Sequence, residues 1–178
     1  MDKIDLFDKL INKKRTSIFI DAANILYSQH SLDWKIDYKK LIKFFKKRTN
    51  LIEAYFYSGK MAINKKQAEF FELMKKFGYK VKTKEVKWIK DSKGKILKGK
   101  GNLDIELVLD LTHTTANYDI AVIFSGDSDF APAIDFIKHL EKTTIVISTR
   151  GHISKELIQT SDLYISFDKL EKYIRRIP

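Results

Sequence analysis

An α/β fold around a mostly parallel sheet is predicted by three observations on the sequence. Apolar runs alternate with helical patterns almost from end to end, as they do in crossover units. Two of those runs end on carboxylates, Asp21 in SIFIDAANI and Asp127 in IAVIFSGDSDF, where open sheets build their sites. The length of 178 residues suits one domain with a full core and is too short for two.

Taken in order, residues 1–15 carry Ile4, Phe7, Leu10 and Ile11 at helical spacing and predict a helix packed on a domain that fills 16–178. Strands are expected at Ser17–Ile20, Leu51–Tyr57, Tyr79–Trp88, Ile120–Phe124 and Thr144–Ile147, with a short sixth at Tyr164–Phe167. Between them, Leu41, Phe44 and Phe45 mark a helix over Tyr38–Lys47. Phe70, Leu73, Met74 and Phe77 form one apolar stripe that stops at Gly78, a helix-ending residue. Asp104 opens a further helix whose inward face carries Leu107, Val108 and Leu111. Pro132 suits a first helical turn, where its missing amide hydrogen would be unpaired anyway, and Ile134, Phe136 and Ile137 then face inward. Asp168 is expected to cap a last helix through Leu170, Tyr173 and Ile174.

Composition narrows the function classes. With 44% hydrophobic and 32% charged residues the chain reads as a globular domain, and no apolar run approaches the roughly 18 residues that span a bilayer. The N-terminus MDKIDLFDKL lacks the order of a signal peptide, so a cytoplasmic protein with no membrane partner is expected. Cysteine is absent, which removes disulfides, thiolate metal sites and thiol nucleophiles together. Lys and Arg total 34 against 23 Asp and Glu, an excess that favours nucleic acid as partner. The competing explanation is lysine spread evenly over a solvated surface. A homo-oligomer is compatible with the sequence, which does not fix the oligomeric state.

A DxD pair in a Gly/Ser loop is weak on its own, because Asp, Ser and Gly are ordinary turn residues. Asp127 and Asp129 gain weight from Asp21: if the first and fourth predicted strands are neighbours, the three acids converge. Asp104 joins them from the inward face of its helix, where its alternative role is to favour the helix dipole. Carboxylates held close together resist ionising, and a divalent cation removes that penalty. An all-oxygen donor set points to Mg²⁺ or Mn²⁺ rather than zinc. His30, His113, His139 and His152 are scattered and receive no catalytic role. Residues 94–100, GKILKGK, match a phosphate-loop pattern, yet Gly101 stands where the magnesium-binding hydroxyl belongs, so the stretch reads as the return limb of a hairpin.

That hairpin, with its turn at Asp91–Gly94, forms a basic arm. Lys80, Lys82 and Lys84 alternate on one strand face, and Lys95, Lys98 and Lys100 continue the charge toward Asp104. Trp88 offers a stacking surface, so Lys82, Lys84, Trp88, Lys95, Lys98 and Lys100 are the candidate contacts to single-stranded nucleic acid. An edge strand kept soluble by lysine, with Trp88 in the core, is the alternative.

FIDAAN (Phe19–Asn24), KGNLDIEL with its later Asp110, SGDSDF followed by Pro132, and the closing Ser154, Leu157 and Asp162 together resemble the NYN domain family of PIN-like metal-dependent ribonucleases. The resemblance covers Ser17 to Phe167. It implies a three-layer α/β/α sandwich of Rossmann-like type and a Mg²⁺ or Mn²⁺ site at the carboxyl ends of the strands. By motif, Asp21, Asp104, Asp127 and Asp129 would be the metal-holding acids, Asn24 and Ser125 polar supports in the catalytic set, and Asp110 and Asp162 further acids. The implied activity is hydrolysis of phosphodiester bonds in single-stranded RNA, leaving 5′-phosphate and 3′-hydroxyl ends. Two departures stand out: Glu141 occupies a turn where many members have Gly, and the lysine-rich hairpin is longer than the pattern requires. A module of the same fold that binds RNA or protein with little turnover is the second reading. A nucleotide-sugar transferase using DxD is a distant third, disfavoured by the short chain.

Overall fold

The computed structural model describes residues 3–90 and 96–177, with the side chains of 88–90 and 96–100 outside that description. The strands are β1 (Arg15–Asp21), β2 (Asn50–Lys60), β3 (Lys80–Glu85), β4 (Lys87–Lys90), β5 (Ile96–Lys100), β6 (Ile120–Phe124), β7 (Thr143–Ser148) and β8 (Leu163–Ser166). The helices are α1 (Lys3–Ile11), α2 (Ala22–Gln29), α3 (Tyr38–Arg48), α4 (Lys65–Phe77), α5 (Asp104–His113), α6 (Ala131–His139), α7 (Lys155–Thr160) and α8 (Glu171–Ile174). Six strands form one sheet in the order β3-β2-β1-β6-β7-β8, with every neighbouring pair parallel, while β4 and β5 make a separate antiparallel hairpin. The result is an α/β fold with helices on both sheet faces.

Two-sided burial explains why the central strands are apolar throughout. On β1, Ile18 and Ile20 join the core under α1, α2, α3, α4 and α8, whereas Phe19 points to the core under α5, α6 and α7. On β6, Val122 and Phe124 face the first core, Ala121 and Ile123 the second. Phe124 contacts the rings of Phe45 and Phe167, with centroids 6.1 and 5.9 Å away. Deleting such a buried ring costs about 3 to 5 kcal/mol. Phe7 and Ile11 of α1 are fully buried in the first core, so the N-terminal helix packs on the domain.

Several expectations need correction. The strand expected over Tyr79–Trp88 breaks at Val86, where the chain leaves the sheet for the hairpin. The Val86 amide donates to Lys60 O at 3.0 Å, and its side chain packs against Gly59 and Gly101, where an added Cβ would lie 3.0 and 2.8 Å from Val86 Cγ2. In α4 the buried positions are Phe71 and Met74, and Leu73 is 45% exposed. Leu73 lies about a quarter turn round the helix from the mean direction of Phe70, Phe71, Met74 and Phe77. Phe136, likewise offset from Ala133, Ile134 and Ile137, is 52% exposed. Asp168 does not cap α8: its carboxylate accepts from Ser166 Oγ at 2.9 Å, and α8 begins without a side-chain cap.

Gly78 and Glu141 end their helices alike. After α4, the Tyr79 amide reaches Met74 O and the Gly78 amide reaches Lys75 O. After α6, Lys142 reaches Ile137 O and Glu141 reaches Lys138 O. Both turns need the left-handed conformation, which Gly78 adopts at φ 104° without strain and Glu141 adopts at φ 59° against its Cβ.

Candidate metal centre

The chain leaves β1 toward β2 and β3 on one side and returns to β6, β7 and β8 on the other, so the strand order switches between β1 and β6. The loops that follow these two strands diverge and leave a crevice at their carboxyl ends. Asp21 ends β1 and also caps α2, because its extended backbone lets Oδ1 accept from the Asn24 amide at 3.1 Å. Its Oδ2 accepts from Ser125 Oγ at 3.1 Å, directly across the β1–β6 boundary. Only 9% of Asp21 is exposed. Burial pushes its pKa up to about 6, the Asp104 and Asp127 charges push the same way, and the Asn24 and Ser125 bonds oppose them.

Neighbouring groups fix the other acids. Ser125, fully buried just beyond β6, also accepts from the Asp127 amide at 3.2 Å. Asn24 Oδ1 accepts from the Gly126 amide at 2.9 Å, so Asn24 and Ser125 tie the β1 loop to the β6 loop. Asp127 caps the 3-10 turn Ser128–Phe130 by accepting from the Asp129 amide at 3.0 Å, and α6 follows with Pro132 in its first turn. Asp104 begins α5 and accepts from Asn102 Nδ2 at 2.6 Å. Partial burial raises its pKa, and the charges of Asp127 and Asp129 add to the effect. Asp21 and Asp104 line a cleft of about 20 Å³, floored by Tyr57 and Leu107, with room for a water or a small cation.

The structure therefore brings Asp21, Asn24, Asp104, Ser125 and Asp127 into one hydrogen-bonded and electrostatic neighbourhood, with Asp129 on its rim. Among the described residues, none of the four acids has an ammonium or guanidinium partner. The other two candidate acids are employed elsewhere. Asp110 accepts from Tyr57 Oη at 2.9 Å and lies 3.5 Å from Lys82 Nζ. Asp162 sits at the opposite end of the sheet, just before β8, where Oδ2 accepts from the Thr144 amide and hydroxyl and Oδ1 meets Lys138 Nζ at 3.1 Å. Ser154 caps α7 and Leu157 is buried, so the closing motif is structural.

The alternating lysines of β3 each meet an acid: Lys80 with Glu53 at 2.6 Å, Lys82 with Asp110 at 3.5 Å and Lys84 with Glu106 at 2.8 Å. Lys82 and Lys84 are about half exposed, so they present shared rather than free charge. Lys95 lies outside the described residues, as do the side chains of Trp88, Lys98 and Lys100.

Gly126 is a site residue that motif reading passed over. A Cβ there would lie 1.7 Å from His152 O, because the loop between β7 and α7 crosses directly above it and Ser154 donates its amide to Gly126 O at 2.9 Å. Gly between Ser125 and Asp127 was the available signal, but only the crossing loop shows why a side chain cannot stand there.

An oxygen-only donor set and a buried carboxylate with no cationic partner among the described residues fit a hard divalent cation. Among the described residues no three acids or histidines stand together at ligating spacing. Mg²⁺ commonly keeps several waters and takes only one or two protein carboxylates, so this spacing fits it as well.

The sequence matches the NYN domain over residues 15–171, a span that contains every one of these acids. The chain belongs to the NYN domain family. This NYN domain is 35% identical to the low amplitude and bright protein LabA of Synechococcus elongatus over 165 residues, covering 91% of this chain and 88% of LabA. A crystal structure of VPA0982 from Vibrio parahaemolyticus, a protein of unknown function, shares the fold with a TM-score of 0.77 at 21% identity, covering 92% of this chain and 97% of that one. NYN domains are nuclease-related and RNA-related, and PIN-like nucleases generally use divalent metal ions. Among the described residues no helix is long and apolar enough to cross a membrane.

Proposed function

We propose that this NYN domain is a metal-dependent ribonuclease that hydrolyses phosphodiester bonds in single-stranded RNA. The observation that carries the reading is Asp21: a buried carboxylate at the switch in strand order, its pKa raised by burial and by Asp104 and Asp127, with no cationic side chain at ion-pair distance among the described residues. Of Asp21, Asp104, Asp127 and Asp129, one or two would hold Mg²⁺ or Mn²⁺ directly and the others would hold it through its waters. Bound there, the cation supplies positive charge for the scissile phosphate and lowers the pKa of water. Ser125 and Asn24 act as positioning residues, the first holding Asp21 Oδ2 and the second holding the loop that carries Asp127. Tyr57 keeps its proton, since burial and the Asp110 charge both raise its pKa, so it offers no base.

A binding module of the same fold is the competing reading, favoured by the absence of a preassembled set of three ligands among the described residues. Incubating labelled RNA with Mn²⁺, with EDTA, and with Asp127→Asn protein decides between them. Nuclease action requires cleavage in the first condition alone. Equal cleavage by Asp127→Asn at saturating Mn²⁺ would remove the acidic centre from the mechanism.

A further inference from the structure

We infer that the outer face of α3 is a second docking surface, one that grips the phosphate backbone of RNA away from the acidic cleft. The inference rests on the RNA reading above. Every exposed position of α3 is a lysine: Lys39, Lys43, Lys46 and Lys47. The helix has no acid of its own. Its other two basic residues serve the fold, Lys40 by donating to Arg175 O at 2.8 Å and Arg48 by pairing with Asp8 at 3.2 Å and lying over the Phe44 ring at 3.9 Å. Among the described residues, none of the four exposed lysines has a carboxylate at ion-pair distance. Arg176, exposed beyond the α8 segment that packs on α3, adds to the same side.

An even spread of lysine does not account for this. On the opposite helical layer α5 has no lysine, α6 has only Lys138, which is held by Asp162 and Thr160 O, and α7 has only Lys155. The lysines of β3 are paired with acids. The four lysines of α3 stand together on a helix with no acid, whereas the exposed Lys65, Lys66 and Lys76 of α4 are interleaved with Glu69 and Glu72. Lys39, Lys43 and Lys47 repeat every four residues and form one row about 12 Å long. The row runs from the carboxyl-end side of the sheet toward the start of β2, into which α3 leads. No aromatic or aliphatic side chain is exposed on α3. Without rings it cannot stack on bases, and without an outward apolar face it cannot seat in a lipid interface, so contact is with phosphates and independent of sequence.

The test measures binding of labelled single-stranded RNA to the full chain in EDTA, at several salt concentrations. Replacing Lys39, Lys43, Lys46 and Lys47 together by Gln should weaken binding at low salt by at least about tenfold, and make the salt slope shallower by roughly 0.7 per lost contact. Lys155→Gln, which removes one exposed lysine from α7 on the opposite helical layer, should bind like the parent. Because the four positions are exposed, the urea melt should not move; if it does, Lys43→Glu with Lys47→Glu gives a second reading of the same slope. Unchanged affinity and slope in the folded variant overturn the docking surface, as does loss of binding to anionic vesicles with RNA binding retained. A parent that binds through α3 yet never cleaves with Mn²⁺ sinks the nuclease reading alone. A parent that cleaves, while the four-Gln variant binds normally, sinks only the docking surface.

Discussion

At the end where β1 begins, Asp119 takes both oxygens to the Arg15 guanidinium, at 2.6 and 3.2 Å, and the bond and charge of Arg15 hold its pKa below the usual carboxylate range. At the end where β1 stops, Asp21 has hydroxyl and amide donors but no cationic partner among the described residues, and its pKa rises to about 6. The same two strands thus carry one satisfied acid and one frustrated one. Asp162 likewise has a cationic partner in Lys138, whereas the pKa of Asp104, like that of Asp21, is raised by burial. Acids paired with their own cation build the fold, whereas acids crowded without one await a ligand from outside. A lysine or arginine at ion-pair distance separates the two kinds where residue type cannot.

The sharpest way to break this comparison is to neutralise one acid at each end. Asp127→Asn should lower RNA cleavage by more than about 100-fold, beyond what loss of an outer-sphere group usually costs. Asp119→Asn should leave cleavage intact in the same gel assay. Comparable losses from both would dissolve the distinction.

Gly126→Ala tests how the frustrated end is held. The 1.7 Å approach to His152 O leaves no room for a methyl group, so the β7 loop or the Asp127 loop must move. A loss of about 2 to 3 kcal/mol in urea denaturation is expected, as for an overpacked site, together with lost cleavage. Normal stability in the variant would show that the loop is free to shift.

The third test concerns pH in EDTA. The folded pKa of Asp21 lies above its unfolded value, so the folded state binds the extra proton and burial costs nothing below about pH 4. The cost grows as pH rises through about 6. Asn keeps the cap on α2 without the charge. Asp21→Asn should therefore match the parent near pH 4 and exceed it near pH 7 by on the order of 3 kcal/mol. A stability difference that does not widen across that window contradicts the assigned burial of charge.

The smallest effect belongs to the satisfied end. Glu141 holds its left-handed turn at φ 59°, just before β7 starts. Glu141→Gly should raise stability by about 1 kcal/mol and leave cleavage unchanged. A thermal melt beside the RNA assay reads both, and altered cleavage would connect that end of the sheet to the site after all.

The alternation of apolar runs with helical patterns determined the α/β class, because burial on both sheet faces leaves a continuous apolar signature that survives in one dimension. β6 coincides with the expected Ile120–Phe124, and Asp104 opens α5 where the inward spacing of Leu107 and Leu111 places it. The order of the motifs was equally sufficient for the family, since the matched NYN span runs through all of them. Sequence could not separate Asp162 from Asp21. Both are aspartates at a strand boundary, and only the chain's return to opposite ends of the sheet gives one a lysine and the other a buried hydroxyl. Nor could it show that the lysines of β3 are spent on Glu53, Asp110 and Glu106 while those of α3 stand free of carboxylates among the described residues. Net charge is a sum along the chain, but its electrostatic effect depends on distances that exist only after residues far apart in sequence have been folded side by side.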